Sequence, residues 1–114
     1  MFATTTTATL SIELLPDFDT TPEEFDCYDA ADTAAFHNDD WRYVGVRVKA
    51  EVHEVGYELH ITTDGLWGVE YGSHFNNNEA YIRELAAEQW ASVPAEIRAQ
   101  LGELTNDTPI REVF

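Results

Sequence analysis

The chain has 114 residues, and 22 Asp and Glu against 6 Lys and Arg give a formal net charge of −16. That length fits one domain, and 44% hydrophobic with 12% aromatic residues can supply a core, which excludes wholesale disorder despite the charge. One cysteine excludes an intramolecular disulfide, the lack of an apolar run near about 18 residues excludes a spanning helix, and so few cations exclude the phosphate contacts that nucleic acid or an anionic membrane requires.

In chain order, residues 1 to 7 are small and polar and are expected to fray. Ala8, Leu10, Ile12 and Leu14 alternate with Thr9, Ser11 and Glu13, a period-two strand that Pro16 ends. Thr21, Pro22 and Glu24 spell a capping box with proline at the first helical position. The sequence predicts a short helix from there to about Ala35, with Phe25, Tyr28, Ala31 and Ala35 inward. Cys27 would be a small buried residue. Asp26, Asp29 and Asp32, at i, i+3 and i+6, would form a solvent-facing stripe. His37 to Asp40 reads as a loop.

The longest strand runs from about Trp41 to His53, with Val44, Val46, Val48, Ala50 and Val52 on one face. Val55-Gly56 is expected as a two-residue turn into a strand from Tyr57 to Thr62. Keeping the apolar sets on one face sets the register: His53 opposite Glu58, Glu51 opposite His60, Lys49 opposite Thr62. Thr63-Asp64-Gly65 reads as a second hairpin turn. A bulged three-residue loop, preferred because it buries the aromatics, would put Trp67, Val69 and Tyr71 with Leu59 and Ile61, but would leave Glu58 roughly opposite Glu70. A two-residue turn would leave those three as an exposed apolar row. Gly72 to Asn78 is a loop, Asn77 or Asn78 caps a helix to about Ser92, and Pro94 breaks it. A short helix then runs to a stop at Gly102, with Ile97, Leu101 and Leu104 inward. Ile110, Val113 and Phe114 can dock. The expected fold is α+β, a single domain over residues 1 to 114. Its antiparallel sheet has about four strands with helices on one face, in the order β-α-β-β-β-α-α.

The charge is uneven. Residues 1 to 41 hold ten acids and no Lys or Arg, and nine of those acids lie between Asp17 and Asp40. A one-sided field of this kind speeds encounter with a basic partner. Carboxylates spaced along a helix or loop can also imitate the charges of DNA phosphates and occupy a DNA-binding cleft.

Catalytic patterns are sparse. The four histidines lack zinc-ligand spacing. Asp17, Asp19 and Glu23 do not make a calcium loop, because Pro22 interrupts them and the 12-residue pattern is missing. Cys27 has no basic neighbour to activate it. The glycines sit at turns rather than in a phosphate-binding loop. A metal-dependent or hydrolytic enzyme using His37 and His74 with nearby acids is the enzymatic alternative. A self-assembling domain using Trp67 and Tyr71 is the structural one.

Three segments, Tyr43-Val44-Gly45-Val46-Arg47-Val48, Thr63-Asp64-Gly65-Leu66-Trp67-Gly68-Val69-Glu70 and Glu79-Ala80-Tyr81-Ile82-Arg83-Glu84, together resemble a pattern of small acidic proteins carried by bacteriophages and mobile elements of actinobacteria. The function of that group is mostly unassigned. The resemblance spans about residues 41 to 90 and leaves the acidic N-terminal segment outside. It brings no catalytic residues and implies an accessory protein that acts on the host or its defences.

The expected function is non-enzymatic: an inhibitor or adaptor that binds a basic surface of a host protein, with nucleic-acid-binding proteins among the candidates. The partner-binding residues are expected to be Asp26, Asp29, Asp32, Asp39 and Asp40, with Trp67 and Tyr71 if exposed. No cofactor, no metal, and no direct contact with nucleic acid or membrane is expected. The N-terminus lacks the basic and apolar blocks of a signal peptide, so the expected compartment is the host cytoplasm.

Overall fold

A computed structural model describes residues 7–54 and 57–114. In chain order it contains β1 (Thr7–Pro16), a 3₁₀ turn at Pro22–Glu24, α1 (Ala30–His37), β2 (Arg42–Glu54), β3 (Tyr57–Thr62) and β4 (Leu66–Tyr71). A 3₁₀ segment at Ser73–Asn78, α2 (Glu79–Ala91), α3 (Ala95–Leu101) and β5 (Ile110–Glu112) complete it. The fold is α+β. Thr7 already belongs to β1. The rest of the expected frayed segment, and the Val55-Gly56 turn, lie outside the described residues.

β2 is the spine of the sheet. β1 pairs antiparallel along one side of it, from Thr7–His53 to Pro16–Val44. β3 pairs with its C-terminal half in the register that the polar–apolar pattern demands: His53–Glu58, Glu51–His60, Lys49–Thr62. β5 joins the free side of β1 in parallel and makes the sheet five-stranded and mixed.

The second hairpin does not form. β4 pairs with the N-terminal half of β2, on the same side as β3. Residues 57–71 thus make one interrupted strand running back along β2. Relative to the Glu54–Tyr57 end, this strand carries one extra residue by the Val46–Leu66 pair and a second by Val44–Val69. Gly65 (φ 93°) and Gly68 (φ 73°) adopt the left-handed backbone that such bulges need. At the break, Thr63 Oγ1 accepts from Val48 N–H and donates to Gln89 Oε1, while Gln89 Nε2 donates to Val46 O. Two side chains thereby satisfy backbone groups that the broken ladder would orphan. Glu58 and Glu70 pair with different parts of β2, so their expected repulsion does not arise.

Ile12, Leu14, Val44, Val46, Val48, Ala50, Val52 and Val69 point to one face, where Ile82, Leu85, Ala86 and Trp90 of α2 and Leu101 of α3 cover them. Tyr71, Leu104 and Ile110 pack at its margin. Ile97, expected inward, is 40% exposed, and α3 reaches the core through Leu101 instead. Arg83 Nη1 donates to Thr108 O and Trp90 Nε1 to Gly102 O, which fasten the C-terminal segment to α2.

The opposite face is built differently. Near its Trp41 end, Ala35, Trp41 and Tyr43 form a second, smaller core with Tyr28, Phe36 and Phe75 against it. Further along β2, Glu13 is buried between Arg47 (2.8 Å) and Lys49 (3.9 Å).

Candidate functional site

The acidic segment does not fold as one helix. Glu24 Oε2 accepts from Thr21 N–H, as the capping box requires, but the helical turn ends at once because Phe25 is extended (φ −127°, ψ 148°). A second cap takes over. Asp32 N–H donates to Asp29 Oδ1 (2.8 Å) and Asp29 N–H to Asp32 Oδ2 (3.2 Å), which opens α1 at Ala30. Aspartate is a strong N-cap, and the alanines of Ala30–Ala35 prefer the helix more than Phe25, Cys27 and Tyr28 do. The expected stripe of Asp26, Asp29 and Asp32 therefore does not exist. Asp26 lies in a bend between the 3₁₀ turn and α1, and Asp29 and Asp32 hold a helix start. Cys27 is exposed, not buried. Ala31 is exposed too, and Phe25, about half-exposed, still reaches the Tyr28 and Tyr43 rings.

Each histidine of the enzymatic alternative has a separate carboxylate. His37 Nε2 meets Glu23 Oε1, and His74 Nε2 meets Asp32 Oδ1 at 2.7 Å. The imidazole beside it holds each carboxyl below its ordinary range, through the hydrogen bond first. His53 lies by Glu51 and Glu58. No group of three or more His, Cys, Asp or Glu among the described residues is placed to hold a metal ion.

Asp39 and Asp40 follow α1 on an exposed turn, Asp39 at φ 63°. Ser73 Oγ and His74 N–H donate to the Asp40 backbone carbonyl, so the turn is anchored while its carboxylates stay free to face solvent. None of the nine carboxylates from Asp17 to Asp40 pairs with a Lys or Arg among the described residues. Five of the six cations are engaged elsewhere: Arg47 and Lys49 on Glu13, Arg83 on Glu79, Arg98 on Glu103, and Arg42 over the Phe114 ring at 4.4 Å.

Behind α1, Tyr43 is 2% exposed, and its hydroxyl has no hydrogen-bond partner among the described residues. Burial pushes the Tyr43 hydroxyl well above the usual tyrosine value. Glu70, its cross-strand neighbour, is pushed up by burial and then by the charge of Asp32, with the nearby Tyr28 hydroxyl partly offsetting both.

Trp67 and Tyr71 do not share a surface. The Gly68 bulge turns Val69 and Tyr71 toward the helices and leaves Trp67 on the other face, 53% exposed. Tyr71 packs against the main core, its hydroxyl donates to Glu112, and burial first, then that bond, pushes it up to about 12. Trp67 lies against Gly45 and lines an open cleft of about 530 Å³ with Phe18, which is 84% exposed. Phe18 was not legible as a site residue. Its only signal is an aromatic between two acids, Asp17-Phe18-Asp19, directly after the strand-ending Pro16.

Among known proteins, no family model, curated protein or solved structure matches this chain. No helix among the described residues is long and apolar enough to cross a membrane.

Proposed function

We propose that this chain is a non-catalytic binding protein that docks on a basic surface of another protein and so acts as an inhibitor or adaptor. The observation that carries this reading is the acidic segment itself: nine carboxylates between Asp17 and Asp40, seven of them exposed, that no Lys or Arg of the described chain neutralises. Repulsion within such a segment disfavours the isolated fold, and a cationic partner relieves it. The contact residues in this reading are Asp26, Asp39 and Asp40, whose carboxylates are exposed. Asp29 and Asp32 serve the start of α1 and contribute field rather than contact. The resemblance to phage and mobile-element accessory proteins fits a host protein as partner, in the host cytoplasm. A nucleic-acid-binding partner would make the acidic segment a stand-in for DNA.

The test starts with capture from host lysate at low and high salt. The purified partner is then titrated with wild type and with a variant carrying Asp26→Lys, Asp39→Asn and Asp40→Lys. Asparagine is chosen at position 39 because it tolerates the left-handed backbone there. The variant should bind at least about 10-fold more weakly at low salt and show a flatter salt dependence. Unchanged affinity would sink the reading. Competition by duplex DNA separates a DNA-like contact from a purely protein one.

A further inference from the structure

Trp67 is held away from the core by several features acting together. Gly45 interrupts the valine-rich spine, and a methyl group there would fall 2.5 Å from Trp67 Cε3, so the missing side chain makes room for the indole. Gly68 supplies the left-handed turn that sends Trp67 to one face and Val69 to the other. Asp17 Oδ2 accepts from Gly68 N–H (2.9 Å) and from Thr20 Oγ1 (3.1 Å), while Oδ1 accepts from Asp19 N–H (3.0 Å). One carboxylate thus ties the loop that carries Phe18 to the bulge that carries Trp67. The backbone of the Phe18 loop is therefore tied to the bulge, and the Trp67 wall is seated on Gly45 in the free protein, which lowers part of the ordering cost of an occupant.

The cleft is lined by Pro16, Asp17, Phe18, Asp19, Thr20 and Trp67. It has aromatic walls and an acidic rim, and no cation lines it. Neutral apolar ligands would leave the rim charges unanswered, and anions would be repelled. A guanidinium answers both features: it stacks on an aromatic face and can form bonds to a carboxylate at its edge. Asp19 is the freer carboxylate here, since Asp17 already accepts three hydrogen bonds and has about one acceptor site left. The same stacking already occurs within the chain, where Arg42 lies over Phe114.

We infer that the Phe18–Trp67 cleft is an arginine-binding subsite, which takes one arginine side chain of a basic protein partner between the two rings with Asp19 at the rim. This deepens the acidic-docking reading and rests on it. The acidic segment would supply attraction at a distance, and the cleft would fix where the partner sits and favour arginine over lysine.

The probe is a synthetic glycine–arginine repeat peptide, with its glycine–lysine counterpart, titrated calorimetrically into the full chain at about physiological salt and again at high salt. The arginine peptide should bind several-fold more tightly than the lysine peptide, and this preference should persist at high salt, where general attraction is screened. Phe18→Ala and Trp67→Ala should each cost about 3- to 30-fold for the arginine peptide and abolish the preference. Phe18 is almost fully exposed, so its variant stays interpretable even if Trp67→Ala disturbs the sheet. Full affinity in Phe18→Ala, or equal binding of the two peptides, overturns the cleft. If the Asp26/Asp39/Asp40 variant loses peptide affinity while Phe18→Ala does not, the cleft fails and the acidic reading stands. If none of the variants changes binding, both fail. Concentration-dependent dimerisation of the free protein that Phe18→Ala abolishes would assign the cleft to a second copy of this chain and also overturn the inference.

Discussion

The two faces of the sheet are held by different physics. On the helix-covered face, β1 and β2 contribute alternating apolar residues, and α2 and α3 cover them with Ile82, Leu85, Ala86, Trp90 and Leu101. On the other face, cohesion comes from an aromatic cluster around Trp41 and Tyr43, a buried glutamate between two cations, and an indole seated on a glycine. The first face buries nonspecific apolar area and the second relies on individual fitted contacts. The first therefore holds the stability, and the second is where surface features can be kept for binding.

The strongest break of this contrast is a paired truncation. Ile82 is fully buried, and Ile82→Ala should cost about 2–5 kcal/mol through lost burial and the cavity left behind. Trp67→Ala removes a larger side chain, yet with half of it already in water the cost should be clearly smaller. Urea unfolding of both variants measures the difference. If Trp67→Ala proves the more destabilising, Trp67 belongs to the core and the division of labour between the faces is wrong.

A second experiment sharpens the contrast on the open face alone. Gly45→Ala should push the indole off its seat and destabilise by about 1–3 kcal/mol, the usual cost of overpacking. Combined with Trp67→Ala, most of that penalty should vanish, because the clash is with that ring. Additive losses would mean that Gly45 matters for strand geometry and not for Trp67. The red-shifted emission expected of a displaced, wetter Trp67 gives an independent reading.

The same contrast explains what could be read from the sequence. The β2–β3 register was legible because slipping β3 by one residue would turn Leu59 and Ile61 away from the face that carries Val48, Ala50 and Val52. α2, α3 and the Gly102 stop were legible from periodicity, Pro94 and Gly102, but Asn78, expected to cap α2, instead adopts the left-handed backbone and donates its side-chain amide to Glu70 O. The fate of Leu66–Tyr71 was not legible. An Asp-Gly turn signals a hairpin locally, and the contacts that make the straight continuation stable are long-range: the bonds of Thr63 and Gln89 to β2, the bond of Gly68 to Asp17 and the seat of Trp67 on Gly45. α1 was misplaced because two valid caps lie eight residues apart, at Thr21 and Asp29, and a cap reports where a helix can start, not whether one continues. The parallel strand β5, three residues long, has too little pattern to announce itself. As for the site, the exposure of Asp26, Asp39 and Asp40 could be foreseen from charge. Phe18 could not, because a lone aromatic in a loop is more often buried.

The smallest effect concerns the border between the aromatic cluster and the acidic segment, at Glu70. Burial and the nearby Asp32 charge raise its carboxyl above the ordinary value of 4.5. The folded state then holds this proton more tightly than the unfolded chain does. Glu70 therefore favours folding below its ordinary value, and that contribution is lost as pH rises through the raised value. At neutral pH the ionised carboxylate is a net cost, and Glu70→Gln should stabilise the protein. Glu70 is only partly buried, and screening keeps the gain below about 1 kcal/mol. Asp32 works with the opposite sign. Its depressed carboxyl favours folding above its ordinary value, and that contribution is lost as pH falls through the depressed value. Urea unfolding of wild type and Glu70→Gln should give a stability difference at pH 7 that closes below about pH 4, where both sequences carry a neutral group at position 70. Their acid-side decline, set in part by Asp32, should then coincide. A Glu70→Gln variant that is less stable at pH 7 would mean that the ionised carboxylate is a needed partner of Tyr28 and not a burden to the fold.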